Sequence, residues 1–240
     1  RIKFEIIFKF ILMEKYNVFV INISDERWKK YDESDDPYIR FKGVDGTKLD
    51  LSSYDNYVFY HNKNEKSRRG AIGCSESHMS MMKYIYENQL NNVIVIEDDA
   101  ILDFTRLYEL DDVKGFCYCG GRIQATVLKN DKELQKNIKK DMFLKQKLNF
   151  IDTESFIITG AHGLFFENYE VAKEIYDDII FQKRRRISDV ELKRIQKKRP
   201  KLIHQFIFPA ISILYLPDAQ NGFTYNDKSS YKLNDNNYKY

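Results

Sequence analysis

Apolar positions along this chain fall into two patterns: short unbroken runs, and longer stretches with apolar residues three or four apart. The unbroken runs read as strands buried on both faces. Residues 17–23 (NVFVINI) and 93–96 (VIVI) are the clearest, and both are rich in β-branched side chains. Residues 38–42 predict a second short strand, closed by the turn signal Val44-Asp45-Gly46. Residues 116–119, 155–159, 164–166, 202–208 and 211–216 predict further strands. Helical spacing of Met79, Met82, Ile85 and Tyr86 predicts a helix from about Ser75 to Gln89, capped by Ser75 or Ser77 and broken at Asn91-Asn92. A short helical stretch follows Ser24. Other helices are expected near 103–112, over the Lys-rich residues 131–148, over 169–180, and over 187–198 before Pro200. Residues 47–69 show no period and read as a surface loop. Strands alternating with helices predict an α/β protein with a mostly parallel central sheet and helices on both faces.

The ends read differently. Residues 1–12 (RIKFEIIFKFIL) mix charge with apolar residues ahead of Met13. We read them as a non-native or upstream prefix, the alternative being the stub of a preceding segment. No run reaches the ~18 apolar residues that a membrane span requires, and no apolar stretch is followed by a small-residue cleavage site. Residues 221–240 are polar with little core material and are expected to be a mobile tail. The working domain is therefore expected over 13–220.

Charge narrows the function. Lys and Arg number 39 against 36 Asp and Glu, a net +3, which is too even for a protein whose partner is a nucleic-acid backbone. Three cysteines, two of them in Cys117-x-Cys119, make neither a disulfide framework nor a zinc pattern. Free thiols in a reducing compartment, the cytoplasm, are expected. The abundance of Ile, Lys, Asn, Tyr and Phe beside 10 Gly and 4 Pro points to an AT-rich genome and says nothing about chemistry.

Chemistry is concentrated in VIVIEDDAIL, residues 93–102, where Glu97, Asp98 and Asp99 follow a buried strand. Ligands of open α/β sheets bind at such carboxyl ends. Adjacent like charges repel, and a divalent cation offsets the repulsion; oxygen-only ligands suit magnesium or manganese. An acidic turn capping the next helix is equally compatible. GAIGCSESH, residues 70–78, supplies Gly70 and Gly73 for close backbone approach and Ser75 and Ser77 at a helix start able to receive anionic oxygens; a plain turn is the other reading. Arg27 is a nucleotide contact or an exposed ion pair. Asp189 is a helix cap or a general base. His78 is read as anchoring its helix start, His162 lines a pocket or is structural, and His204 is a late metal ligand or a structural strand residue. The basic run Lys183–Arg186 is a solvated helix end or a contact for phosphates.

In order and spacing, FVINISDER (19–27), GVDG (43–46), GAIGCSESH (70–78) and VIVIEDD (93–99) together resemble glycosyltransferase family 25, which includes lipooligosaccharide and collagen hydroxylysine galactosyltransferases. CYCGGR (117–122), GAHGLFF (160–166) and ISDVEL (187–192) match more loosely, with His162 and Asp189 at the family's His and Asp. The likeness covers about residues 17–215. It implies a GT-A-type nucleotide-sugar fold, a UDP-sugar donor, and manganese or magnesium held by the Asp-x-Asp-like triplet. Asp99, with Asp98, is then the metal ligand, and His204 is a candidate further one. Glu97 and Asp98 lie by the donor, with Arg27, Asp45, Gly73 and Ser77. Asp189 is the catalytic base and His162 lines the acceptor pocket. The implied activity is inverting transfer of a hexose, galactose or glucose, to a glycan or hydroxylysine-type hydroxyl. A non-catalytic nucleotide-sugar-binding scaffold of the same fold is the competing class.

Overall fold

The computed structural model describes residues 14–59, 64–120, 122–125, 148–150, 156–207 and 211–214. The prefix 1–12, the tail 221–240 and the Lys-rich helix expected over 131–148 lie outside them, except that Leu148 opens a strand.

A seven-stranded sheet runs β2 (Tyr38–Lys42), β1 (Asn17–Asn22), β3 (Val93–Glu97), β9 (Gly163–Phe166), β5 (Phe116–Tyr118), β10 (Ile203–Ile207), β7 (Leu148–Phe150). It is mixed, which corrects the expectation of a mostly parallel sheet. β1 is parallel to β2 and β3, and β10 to β5, but β9 is antiparallel to both β3 and β5, and β7 is antiparallel to β10. The connections give the reason. β5 leaves the sheet at its carboxyl end into β6 (Arg122–Ala125), which pairs with β8 (Phe156–Thr159) in a separate ribbon, and the short loop Gly160–His162 leads from β8 into β9, so β9 re-enters the sheet at that same edge and runs back against β5. A second ribbon pairs β4 (Ala100–Leu102) with β11 (Ser212–Leu214).

Val18–Ile21 of β1 and Val93–Ile96 of β3 are apolar at every position because both faces are covered. Phe19, Ile21, Val93 and Val95 pack under α2 (Glu65–Glu87), α3 (Tyr169–Ile180) and α4 (Ser188–Lys198), through Met79, Met82, Ile85, Ile175, Ile179, Leu192 and Ile195. The alternate residues Val18, Val20, Ile94 and Ile96 face the other way. That side is covered by α1 (Asp25–Asp32), a 3-10 helix over Phe104–Leu110 and the β4–β11 ribbon. Helices on both faces are thus borne out only in part. Among the described residues, no helix is long and apolar enough to cross a membrane.

α2 begins ten residues before the expected Ser75. Asn64 caps it, its side chain accepting from the Ser67 amide. The glycines that suggested a turn lie inside the helix. A Cβ on Gly73 would stand 2.8 Å from both Cα and N of Gly46 and 2.9 Å from the Val44 carbonyl oxygen, so Gly73 lets the helix press against the loop after β2. Ser77 belongs to the same contact. Its hydroxyl donates to the Gly73 carbonyl at 2.7 Å and accepts from the Val44 amide at 2.7 Å. The expected loop over 47–69 instead holds two 3-10 turns, Gly46–Lys48 and Leu51–Tyr54, capped by Asp45 and Asp50, and the opening of α2.

Candidate active site

The carboxyl ends of β1, β3 and β5 lie along one edge of the sheet, and β9 starts there because it runs the opposite way. Gly163 pairs with Ile96, so His162 enters the edge beside Glu97. From β3 the chain turns tightly through Asp98 and Asp99 into β4.

α1 clamps that turn. Ser24 caps α1, its hydroxyl accepting from the Arg27 amide at 3.3 Å. One helical turn further, Lys30 Nζ donates to the Asp98 carbonyl at 2.8 Å, and the Tyr31 hydroxyl reaches the carbonyls of Glu97 and Ala100.

The three carboxylates meet different surroundings. Asp98 is only 8% exposed. Arg27 Nη1 donates to its Oδ1 at 2.8 Å and Asn22 Nδ2 to its Oδ2 at 2.9 Å. Both oxygens accept a hydrogen bond from the fold, so Asp98 holds the turn in place. Arg27 correspondingly makes a part-buried ion pair, where the sequence allowed an exposed one.

Glu97 points at α2. Its Oε1 lies 3.0 Å from His78 Nε2 and 3.3 Å from Cys74 Sγ. Desolvation alone would raise its pKa. The hydrogen bond and charge of His78, the charge of His162 and the Cys74 contact outweigh that and hold it at about 2.

Asp99 is the exception. Among the described residues, its buried Oδ1 has no hydrogen-bond partner. Desolvation and the charges of Glu97 and Asp98 push its pKa up to about 6 against the opposing charge of Arg27. A desolvated carboxylate oxygen without a donor, beside two further carboxylates, suits a hard divalent cation such as magnesium or manganese.

Asp189 joins the same edge from α4. Ile187, not Asp189, occupies the N-cap position, and it makes no side-chain cap bond. Asp189 lies in the first turn, which removes the simple capping reading. Its charge is felt by Cys74, whose thiol is pushed well above its usual range by desolvation and by the carboxylates of Glu97 and Asp189. Asp189 also adds to the upward shift of Tyr118, which burial dominates. His162 is buried between Gly160, at φ 94°, and β9, and acts on Glu97 through its charge.

The remaining candidates stand elsewhere. Asp45 caps the 3-10 turn, accepting from the Thr47 amide and hydroxyl at 3.0 and 2.6 Å. Gly73 and Ser77 build the helix–loop contact, and Ser77 does not sit at a helix N-terminus. His204 falls at the register shift in β10 between Ile203, paired with Phe116, and Gln205, paired with Cys117. Its side chain lies outside the described residues. In the basic run, Arg185 stands 3.7 Å from Glu76 and forms a bridge with Tyr57.

Sequence reasoning passed over Asn22, Lys30 and Cys74, and read His78 as a helix-start anchor. The spacing of Cys74 and His78, four apart on one helix face, becomes visible only once the helix is extended back to Glu65.

A family model described as glycosyltransferase family 25 (LPS biosynthesis protein) matches residues 15–233, nearly the whole chain. No curated protein matches.

Proposed function

The chain belongs to glycosyltransferase family 25, and from that premise we propose that it moves a hexose from a UDP-sugar to a hydroxyl of a glycan acceptor, with inversion at the anomeric carbon. The observation that carries this reading is Asp99: a buried carboxylate oxygen that has no donor among the described residues, at the strand edge where α/β sheets bind ligands. Bound through Asp99, manganese or magnesium would supply positive charge to the departing diphosphate.

The chain's own residues divide the remaining work. Arg27 and Asn22 hold Asp98, and through it the backbone of the turn, so that Asp99 keeps its place. Asp189 is the base. The acceptor oxygen forms its bond to the anomeric carbon while the bond to the UDP oxygen breaks, and the hydroxyl proton passes to the Asp189 carboxylate. His162 lines the acceptor side of the same edge. Galactose is the favoured hexose, with glucose next. A glycan acceptor agrees with the family's description, which gives no support to a hydroxylysine acceptor.

The test is a panel of UDP-galactose, UDP-glucose and UDP-N-acetylglucosamine, each with manganese, scored for UDP release with and without glycan acceptors. Turnover of one hexose donor well above the others supports the reading. Absence of UDP release from every donor, in a protein that nevertheless binds UDP, would instead identify a scaffold.

A further inference from the structure

Among the described residues, one group of side chains gathers three metal-ligating atoms: Cys74 Sγ, His78 Nε2 and a Glu97 carboxylate oxygen, all within 4.8 Å of one another. We propose that this group is a binding site for a borderline-soft divalent cation, zinc above all, separate in donor chemistry from the oxygen site at Asp99.

The geometry follows from two elements. Cys74 and His78 are four apart on α2, which puts both on one face a single turn apart. Glu97 ends β3, which packs beneath that helix. Two of the three separations, 3.3 Å from sulfur to Oε1 and 3.0 Å from Nε2 to Oε1, are near those of atoms sharing one tetrahedral ion, and the third, from sulfur to Nε2, is within 4.8 Å. Zinc bonds of about 2.0 Å to nitrogen and oxygen and about 2.3 Å to sulfur put neighbouring ligands roughly 3.3–3.7 Å apart. Small rotations of side chains already in contact are enough.

Donor type decides which ion is taken. Sulfur and imidazole nitrogen favour zinc over magnesium or manganese, which prefer oxygen. On binding, the Cys74 S–H bond breaks, its proton leaves to solvent, and a sulfur–metal bond forms; His78 gives up the Nε2 proton that it shares with Glu97, keeps its proton on Nδ1, and ligates through the freed Nε2 lone pair. Three protein ligands leave a fourth position for water. The ion has a way in, because Cys74 keeps solvent-accessible surface although the protein packed around its thiol desolvates it, while His78 is only 3% exposed. The carboxylate of Asp189 stands near enough to act on Cys74 and adds favourable charge.

This inference does not depend on the transferase reading, and its test uses no nucleotide. The untagged full chain is titrated with cobalt(II), whose bond to a thiolate gives a charge-transfer band in the near ultraviolet. Zinc affinity is measured by competition with a chromophoric chelator. We expect the band at one equivalent and its loss on adding zinc. Cys74→Ser should abolish the band and weaken zinc by more than the ~10–100-fold that losing an outer-shell partner costs. Cys74 is exposed, so this variant keeps the fold, and His78→Ala provides a second reading where it folds. Cys117 and Cys119 are buried and remain in every variant. Absence of the band in the wild-type protein, or its persistence in Cys74→Ser, would overturn the proposal.

Discussion

Arg27 Nη1, on α1, donates to Asp98 Oδ1 at 2.8 Å just past the end of β3, while Asp99, the next residue, keeps a buried carboxylate oxygen that has no donor among the described residues. One basic side chain thus separates a carboxylate that builds the turn from a carboxylate that the turn presents.

Stability should report this division. Asp98→Ala removes one partner of a part-buried ion pair and the carboxylate to which both Arg27 Nη1 and Asn22 Nδ2 donate. A fully buried pair broken in this way costs 3–5 kcal/mol; Arg27 keeps a quarter of its side chain in solvent, so about 2–3 kcal/mol is expected here. Asp99→Asn relieves repulsion and should be neutral or stabilising. Urea unfolding in the presence of a chelator measures both. Equal losses in the two variants would contradict the division.

The two glycines of α2 should behave oppositely. A Cβ on Gly73 meets only backbone atoms, which cannot move aside cheaply, so Gly73→Ala should cost about 1–3 kcal/mol or more. Around Gly70 there is nothing within 4 Å, so Gly70→Ala should stabilise by about 0.5–1 kcal/mol through helix propensity. Thermal unfolding of the pair checks this.

A pH dependence is expected at the start of β1. Asp111 accepts from Lys15 at 2.6 Å and from the Tyr16 hydroxyl at 2.5 Å. Desolvation opposes the effect, but these bonds hold its carboxyl below the usual range. A carboxylate lowered in the folded state contributes stability above its unfolded value, and that contribution is lost as pH falls through the lower folded value. Asp111→Asn should therefore destabilise near neutral pH and flatten the acid limb below about pH 4. An acid limb unchanged in the variant would show that the bonds contribute nothing.

Asp189→Asn should leave UDP affinity and stability near wild type and lower transfer to acceptor by ~10²–10⁴-fold. Stability should hold because Asp189 is not the N-cap of α4. Near wild-type transfer would send the search to another carboxylate.

Much of this was legible in the chain, and the misreadings have physical causes. The runs at 18–21 and 93–96 gave themselves away because strands covered on both faces are apolar at every position. The carboxylate triplet was visible because it follows such a run. The mixed sheet was not, since strand direction depends on where the chain comes from, and the path into β9 passes through the separate β6–β8 ribbon. The start of α2 was misplaced because glycine serves turns and close helix contacts alike, and only the loop pressed against Gly73 tells them apart. The sorting of Asp98 from Asp99 rests on Asn22 and Arg27, distant in sequence from both.

The central claim, that Asp99 presents a metal–nucleotide site, is met most directly by UDP titration of the full chain with manganese and with chelator, in wild type and in Asp99→Asn. The account predicts tight binding only for the wild type with manganese, and weak, metal-independent binding for Asp99→Asn in a protein that remains folded. UDP affinity unchanged by chelator, or by Asp99→Asn in the presence of manganese, would contradict it.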